Sequence, residues 1–140
     1  MPGPRRVVID PNVWISALLS PSGAPARVLG AVLAGDVVAV VSPRLVEELS
    51  AVLARPKFRR WVSLSDAQEF TRAVAARADL YPDVARPPRT TRDPDDDYLV
   101  ALCVSSGARL VSGDADVLAA ELDPPALSPR ALLALLDATS

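Results

Sequence analysis

Histidine is absent from this sequence of 140 residues, and lysine is nearly so. The absence of histidine excludes a Ser-His-Asp triad, a ribonuclease mechanism that uses a pair of histidines, and a zinc site with histidine ligands. Lys57 is the only lysine, so arginine supplies the rest of the 15 positive charges. Acid–base or metal chemistry must therefore use the oxygens of Asp and Glu, which select hard cations such as Mg²⁺ or Mn²⁺.

Cysteine and long apolar runs are also scarce. Cys103 is the single cysteine, so no disulfide can form within the chain, and we expect a reducing cytoplasm. No run reaches the ~20 apolar residues of a membrane span, and the stretch before the first expected strand is too short for a signal peptide. The sequence therefore predicts a cytoplasmic protein with no membrane partner.

The remaining composition is typical of a globular protein. Hydrophobic residues make up 50% of the chain and charged residues 23%, and a chain of this length can bury roughly two-thirds of its unfolded surface. We expect one domain spanning residues 1–140. The net charge of −2 argues against a general nucleic-acid coat protein but permits local basic patches.

Hydrophobic runs alternate with helix-start signals along the chain. The pattern predicts strands at 6–10, 37–41, 80–84 and 109–112, with an extended piece at 127. It predicts helices at 12–19 with Asn12 as the cap, 25–34, 43–54, 65–78, 93–106, a short one from 114, and 129–138. This alternation indicates a three-layer α/β/α sandwich with a mainly parallel central sheet and right-handed crossovers. Asp10 and Asp114 each follow a strand, so both are expected at the carboxyl edge of the sheet, where ligands bind.

Helix geometry separates two neighbouring glutamates. At about 100° per residue, Leu45, Leu49 and Val52 lie on one apolar stripe. Glu47 falls nearly opposite this stripe and belongs in water, whereas Glu48 falls about 40° beyond its edge and can reach a half-buried pocket. Glu48 is therefore the functional candidate of the pair.

Four acids lie close together at an expected helix start: Asp93, Asp95, Asp96 and Asp97. A helix cap and a first-turn acid are ordinary at such a position, and they account for Asp93 and one more. Asp96 stands one turn before Leu99 and leans toward the buried face. We therefore select Asp96, with Asp97 as a group just outside the metal ligands.

Asp114 and Asp116 are equally natural as a cap and a first-turn acid, but the buried strand before them makes Asp114 a functional candidate.

Two unit charges ~4 Å apart repel by about 4 kcal/mol at an effective dielectric of 20. Four carboxylates in one pocket would approach the stability of a whole domain, about 5–15 kcal/mol. Acids that converge must therefore bind a cation or hold protons, and at neutral pH we expect the cation.

Four segments, in order and spacing, resemble the PIN-domain family. They are 7–18 (VVIDPNVWISAL), 45–58 (LVEELSAVLARPKF), 92–97 (RDPDDD) and 107–118 (GARLVSGDADVL). The chain resembles in particular the VapC-like branch, which contains toxins of toxin–antitoxin systems. The resemblance implies a central parallel sheet between helices and a metal-dependent ribonuclease activity.

The resemblance also implies a set of site residues. Matched residue by residue, the family's catalytic and metal-binding acids fall on Asp10, Glu48, Asp96 and Asp114. Some members share a further metal-binding acid at the position of Asp116. The candidates just outside the metal ligands are Asn12, Asp97 and Ser112. The implied reaction is hydrolysis of an RNA phosphodiester with one or two Mg²⁺ or Mn²⁺ ions, which generate a nucleophilic hydroxide and neutralise phosphate charge. An antitoxin protein and a second copy of the chain are the implied partners.

Basic residues follow the Glu48 helix and precede the acidic run. The candidates for RNA contacts are Arg55, Lys57, Arg59, Arg60 and Arg92. Solvated cations that stabilise a helix C-terminus or balance an Asp explain the same residues equally well. Of the two tryptophans, we expect Trp14 in the core, while the pattern leaves Trp61 open between core packing and base stacking.

Two other functions fit parts of the pattern. A PIN-like scaffold without catalysis would use the fold for protein contacts, although such a protein is expected to lose acids that this chain keeps. A haloacid-dehalogenase-like phosphotransferase also places an Asp after its first strand and a Gly-Asp after a later one, as at Asp10 and Asp114. It needs a second Asp where this chain has Asn12, and a lysine near the phosphate, for which Lys57 is the only candidate.

Overall fold

The computed structural model describes residues 5–139; residues 1–4, which belong to the stretch considered above for a signal peptide, and Ser140 lie outside the described part. The strands are β1 (Arg5–Ile9), β2 (Val37–Val41), β3 (Asp79–Leu80) and β4 (Arg109–Val111). The helices are α1 (Pro11–Leu19), α2 (Ala24–Ala34), α3 (Pro43–Leu53), α4 (Leu64–Arg77), α5 (Asp97–Ser106), α6 (Ala115–Ala119) and α7 (Pro129–Thr139). One-turn 3-10 helices lie at Pro56–Phe58 and Pro94–Asp96.

The strands form a parallel sheet in the order β3-β2-β1-β4. Val7 on β1 pairs with Ala39 on β2 and with Arg109 on β4. A parallel bridge from Val111 to Leu127 extends the sheet past β4, as predicted for that extended piece. Helices flank the sheet and complete the predicted three-layer α/β/α sandwich.

Continuous apolar strands place the core at the centre of the sheet. Val8, Val40 and Val41 are fully buried, because β-branched side chains pack well on both faces of a covered parallel sheet. Trp14 is buried, as predicted, and packs edge-on against Phe70 with the ring centroids 6.5 Å apart. Polar residues follow directly where these apolar strands end, as Asp10 follows β1 and Ser112 follows β4.

Two predicted helix-end signals are confirmed. The Ser42 hydroxyl accepts a hydrogen bond from the Leu45 backbone N–H at 3.2 Å and caps α3, with Pro43 in the first helical position. Gly107 ends α5 at a φ of 70°, a left-handed conformation that costs glycine little.

The start of α1 differs from the prediction. The helix begins at Pro11 with Asp10 as its cap, so the expectation that Asn12 caps it is wrong. The Asp10 carboxylate accepts the Asn12 backbone N–H, and the Asn12 side chain is exposed.

Two later boundaries also differ. The strand expected at 80–84 spans only Asp79–Leu80, since the last backbone donor to β2 is Tyr81 and the following Pro82 has no N–H. The helix expected from 93 begins as the 3-10 turn and becomes α-helical only at Asp97.

Within residues 5–139, no helix by itself has the length and apolar character to cross a membrane. Only α1 and α2 taken as a pair reach that threshold, by length and composition alone and across a bend of 100°.

A substitution at Gly107, compared with one at Gly30 in α2, tests the conformation at the end of α5. Gly107→Ala is expected to lower the free energy of unfolding by about 1–2 kcal/mol, because a Cβ is strained in the left-handed region. Gly30→Ala, in the middle of α2 where an added Cβ meets nothing within 4 Å, is expected to raise it by roughly 0.5–1 kcal/mol. Urea unfolding measures both, and equal shifts in the same direction would contradict the assigned conformation of Gly107.

Candidate active site

Asp10 lies at the carboxyl end of β1 and is only 5% exposed. Its Oδ1 accepts the Asn12 backbone N–H at 3.0 Å, and its Oδ2 accepts the Ser112 hydroxyl at 3.0 Å. Burial raises the pKa of Asp10 above its ordinary value; the two hydrogen bonds offset part of this, and the charge of Asp114 adds to it. Asp10 is thus a carboxylate held in place at an electrostatic cost.

Ser112 connects Asp10 to the next acid. Its fully buried hydroxyl donates to Asp10 and accepts the Asp114 backbone N–H at 3.1 Å. Asp114 is exposed and caps α6, with its Oδ1 accepting the Asp116 backbone N–H at 2.7 Å. Because β1 and β4 are neighbours in the sheet, the acids that follow them lie at one edge.

Glu48 lies on the second turn of α3 and is half-buried, whereas Glu47 is exposed, as the helix geometry predicts. The buried Tyr98 donates its hydroxyl proton to Glu48 Oε2. Burial, and then the contact with Glu48, raise the pKa of Tyr98 above its ordinary value, so the phenol stays protonated and remains a donor. The Arg44 guanidinium lies over the Tyr98 ring, 4.2 Å from its centroid.

Asp96 lies at the junction between the 3-10 turn and α5 and is half-buried. Burial, followed in order of importance by the charges of Asp10, Asp93, Asp114 and Glu48, raises the pKa of Asp96 to about 6. Asp96 is therefore within electrostatic reach of the three other predicted metal-binding acids. The fold thus brings acids from four remote segments near one edge of the sheet, and we call Asp10, Glu48, Asp96 and Asp114 together the acidic edge.

The donor set fits a hard cation, but the ligand shell is not closed. Every side chain in the set offers carboxylate oxygens, and their mutual repulsion is of the kind that a bound cation relieves. Within residues 5–139, however, no three acidic side chains form a group that could hold one ion directly. Mg²⁺ usually keeps several waters and takes one or two carboxylates directly, so this spacing suits a hydrated ion.

Asp97 has surroundings unlike those expected for a group beside the metal ligands. It is 2% exposed, and its Oδ1 accepts the backbone N–H groups and the hydroxyls of Thr90 and Thr91. Its Oδ2 pairs with Arg89 Nε at 3.0 Å. Burial alone would raise the pKa of Asp97, but the hydrogen bonds outweigh it and lower the pKa to about 2. Asp97 thus anchors the loop before α5.

Asp116 and Arg92 form a pair at the edge of the site. The Arg92 guanidinium lies 3.7 Å from Asp116 Oδ1, and both side chains are mostly exposed. Asp116 therefore lies two residues from Asp114, with its carboxylate paired to Arg92.

The structure divides the predicted RNA-contact residues after α3. Arg55, Lys57 and Arg60 are exposed. Arg59 is half-buried and donates from Nη2 to the Leu53 carbonyl at the end of α3, which is the structural alternative considered for this cluster.

Sequence reasoning missed Tyr98 as a residue of the site. A signal was present, because a tyrosine in an apolar helix needs a partner for its hydroxyl when buried. The partner, Glu48, lies 50 residues earlier, so the sequence alone could not name it.

The parallel sheet flanked by helices, with acids at its carboxyl edge, defines an α/β protein with a candidate carboxylate site. The sequence profile of the PIN domain matches residues 6–116, which include all four predicted metal-binding acids. The chain belongs to the PIN-domain family, whose members are generally nucleases and typically use divalent metals.

Similar proteins come from archaea and bacteria. The uncharacterized protein MJ1680 of Methanocaldococcus jannaschii is 30% identical over 117 residues, which cover 81% of this chain and 73% of that protein. The crystal structure of PAE2754 from Pyrobaculum aerophilum aligns with a TM-score of 0.68 at 17% identity, covering 96% of this chain and 90% of that one. The structure of VapBC2 from Rickettsia felis, bound to a promoter DNA fragment, aligns with a TM-score of 0.58 at 13% identity, covering 78% and 88%. At these identities the two structures support the fold.

The role of Asp97 as a loop anchor can be tested with a neighbouring acid as control. Asp97→Asn is expected to lower the free energy of unfolding at pH 7 by about 1–3 kcal/mol, because the hydrogen bonds lose their charged acceptor and the ion pair with Arg89 is lost. Asp95→Asn, at an exposed position, is expected to change it by less than about 0.5 kcal/mol. Urea unfolding of both variants measures the difference.

The pH dependence has a definite sign. The pKa of Asp97 falls from 3.8 to about 2 on folding, so its stabilisation is complete above about pH 4 and is lost as the pH falls through 2. The gap between wild type and Asp97→Asn should therefore narrow from pH 4 to pH 2. A gap that stays constant over this range would exclude the anchoring role.

Proposed function

We propose that this protein hydrolyses RNA phosphodiester bonds with the help of a divalent cation, Mg²⁺ or Mn²⁺. The observation that carries the proposal is the convergence of acids from remote segments. Ser112 bridges the Asp10 carboxylate and the backbone N–H of Asp114. The raised pKa of Asp96, caused by burial and by nearby acidic charges, agrees with this convergence. Titratable groups gathered against their own repulsion are typical of functional sites. Membership in a family of nucleases supports the hydrolytic reaction.

In this proposal the acids bind the ion, and neighbouring side chains orient the acids. The residues that would hold the ion are Asp10, Glu48, Asp96 and Asp114, with Asp116 as a further ligand. When bound, the ion supplies activation of a water and neutralises charge on the transferring phosphate. The protein aims the carboxylates, since Ser112 holds Asp10 and Tyr98 holds Glu48. No side-chain nucleophile is needed, in keeping with a chain that has no histidine.

Exposed cations supply the contacts to RNA phosphates in this proposal. Arg92 lies beside the acidic edge through its pair with Asp116. Because both partners are exposed, the pair contributes little to stability and can open for a phosphate. Arg55, Lys57 and Arg60 extend the basic surface beyond the end of α3.

We further propose that the protein is the toxin of a toxin–antitoxin pair in the cytoplasm. The sequence resembles the VapC-like branch, and the similar structure from Rickettsia felis contains VapBC2 with promoter DNA. The proposed partners are an antitoxin protein and a second copy of this chain.

A PIN-like module without catalysis is the second candidate. It is favoured by one observation, that no three acids within residues 5–139 are close enough to hold one ion directly. Calorimetric titration with Mn²⁺ separates the two functions, because a silent module should show no saturable binding.

Adjacent glutamates provide a matched test of the site. Glu48→Gln is expected to reduce Mn²⁺-dependent RNA cleavage by more than about 100-fold, since metal activation contributes several kcal/mol to such reactions. Glu47→Gln removes the same charge from the exposed face of the same helix and should leave the rate unchanged. Cleavage of a defined single-stranded RNA measures both rates.

Asp10→Asn and Asp96→Asn should abolish cleavage in the same assay while far-UV circular dichroism remains that of the wild type. Undiminished cleavage by the purified double variant would reject the assignment of these acids. Equal losses in Glu47→Gln and Glu48→Gln would instead indicate a general effect of surface charge.

The two tyrosines test how Glu48 is positioned. Tyr98→Phe removes the hydroxyl that holds Glu48 and is expected to weaken Mn²⁺ affinity by about 10–100-fold, as is usual for groups that orient metal ligands. Tyr81→Phe removes a hydroxyl that accepts a hydrogen bond from Arg6, away from the acids, and should not change the affinity. Calorimetric titration gives both values, and equal affinities for all three proteins would exclude the positioning role of Tyr98.

A further inference from the structure

A segment without acids follows Glu48. No Asp or Glu occurs in residues 49–65, while the segment contains four cations, Arg55, Lys57, Arg59 and Arg60. The chain as a whole has a net charge of −2, so positive charge is concentrated here. Three of these cations are exposed, since only Arg59 turns inward to the end of α3. Residues 55–61 form this surface, the basic loop.

Trp61 lies at the end of the basic loop and is 61% exposed. The other tryptophan, Trp14, is 2% exposed, so the fold buries one indole and leaves the other in water. Exposure of so large an apolar side chain forgoes about 1.5–3 kcal/mol of burial energy. The Arg60 guanidinium carbon is 5.3 Å from the Trp61 ring centroid, which places a cation beside the indole.

The basic loop is held in one conformation. Phe58 is buried, and its carbonyl accepts the backbone N–H groups of Trp61 at 3.1 Å and Val62 at 3.0 Å. Arg59 fastens the loop to the Leu53 carbonyl at the end of α3. Trp61 is therefore presented on an ordered turn, so little conformational entropy is lost when a ligand contacts it.

We propose that Trp61 stacks on an unpaired base of single-stranded RNA while Arg55, Lys57 and Arg60 contact its phosphates. The inference rests on the proposed function, because it takes RNA as the substrate. An aromatic face beside cations is the combination that binds single strands without sequence preference. In a duplex, the faces of the bases are covered by their neighbours, so the indole cannot stack on them. The absence of acids favours a polyanion over a protein partner on this surface.

The position of the basic loop relative to the acids supports this role. α3 carries Glu48 and ends at Leu53, and five residues of helix span about 8 Å. The basic loop begins two residues after α3 ends, so an RNA strand bound there would extend past this length of helix to reach Glu48.

The test measures RNA binding without divalent metal, so that no cleavage interferes. A labelled ten-nucleotide single-stranded RNA is titrated with the full chain in EDTA and followed by fluorescence anisotropy. Trp61→Ala should bind about 5- to 150-fold more weakly, the range that base stacking on an aromatic side chain provides. Trp61→Phe should retain most of the affinity. Leu33→Ala, which removes an apolar side chain that is 52% exposed on α2, is the control and should bind as the wild type does.

Salt dependence and a duplex separate stacking from charge. Arg60→Ala should lower the slope of log affinity against log salt by about 0.7, the loss of one phosphate contact on a single strand. Trp61→Ala should leave that slope unchanged, and it should leave the affinity for an RNA duplex of the same length unchanged.

Three results would overturn the inference. The first is equal affinity of Trp61→Ala and Leu33→Ala for the single strand. The second is a loss of affinity of Trp61→Ala for the duplex that equals its loss for the single strand. The third is a change of sedimentation coefficient in Trp61→Ala, which would indicate that Trp61 lies in a contact between copies of the chain. Binding is measured without metal. If the wild type fails to cleave RNA in Mn²⁺, the proposed function is overturned, but the affinities measured in EDTA still show whether Trp61 stacks on RNA. Conversely, equal RNA affinities of Trp61→Ala and Leu33→Ala would exclude the stacking role of Trp61 without contradicting the proposed role of the acids in cleavage.

Discussion

The repulsion among carboxylates at the carboxyl edge of the sheet is the constraint on which the rest of the site depends. Most of these acids are compensated by hydrogen-bond donors: Asp10 by Asn12 and Ser112, Asp114 by the first turn of α6, and Glu48 by Tyr98. Asp96 differs, because it caps no backbone N–H at the start of α5. Burial and the surrounding charges raise its pKa to about 6. The repulsion that no hydrogen-bond donor offsets therefore acts mainly on Asp96, and a cation bound beside Asp96 would reduce that repulsion most.

Structural and functional roles coincide in these acids. Asp10 and Asp114 are both helix caps, and an acid at a helix N-terminus is stabilised by the backbone N–H groups and the helix dipole. In a parallel sheet, each strand leads into a helix whose N-terminus lies at the carboxyl edge. The edge that collects the acids thus also supplies the partial positive charges that make them tolerable. This coincidence is the reason that a helix-cap signal in the sequence could not by itself separate a structural acid from a functional one.

The features that local rules determine could be predicted from the sequence. The buried run of β2, the Ser42 cap and the contrast between Glu47 and Glu48 follow from apolar patterning and from about 100° of rotation per residue. The same rotation rule fails near Asp96 and Asp97, because the chain there forms a 3-10 turn with about 3.0 residues per turn before α5 begins. Asp97 consequently becomes the buried acid of the two, held by Thr90 and Thr91. The contact of Tyr98 with Glu48 joins residues 50 positions apart, and no local pattern could have identified it.

Charge segregation along α3 bears on how an RNA would reach the acids. A polyanion is repelled by the acidic edge until a cation neutralises it, whereas the basic loop attracts it without metal. The Debye length is about 8 Å at physiological ionic strength, and the helix from Glu48 to Leu53 spans about the same distance. At that ionic strength the repulsion from the acids is attenuated at the basic loop, so the acids weaken docking there without cancelling it. At low salt the acidic edge reaches further and opposes docking, unless metal is present. Under the proposed function, metal would therefore affect the approach of RNA to the acids as well as the chemistry there, while the basic loop would provide an attraction that needs no ion.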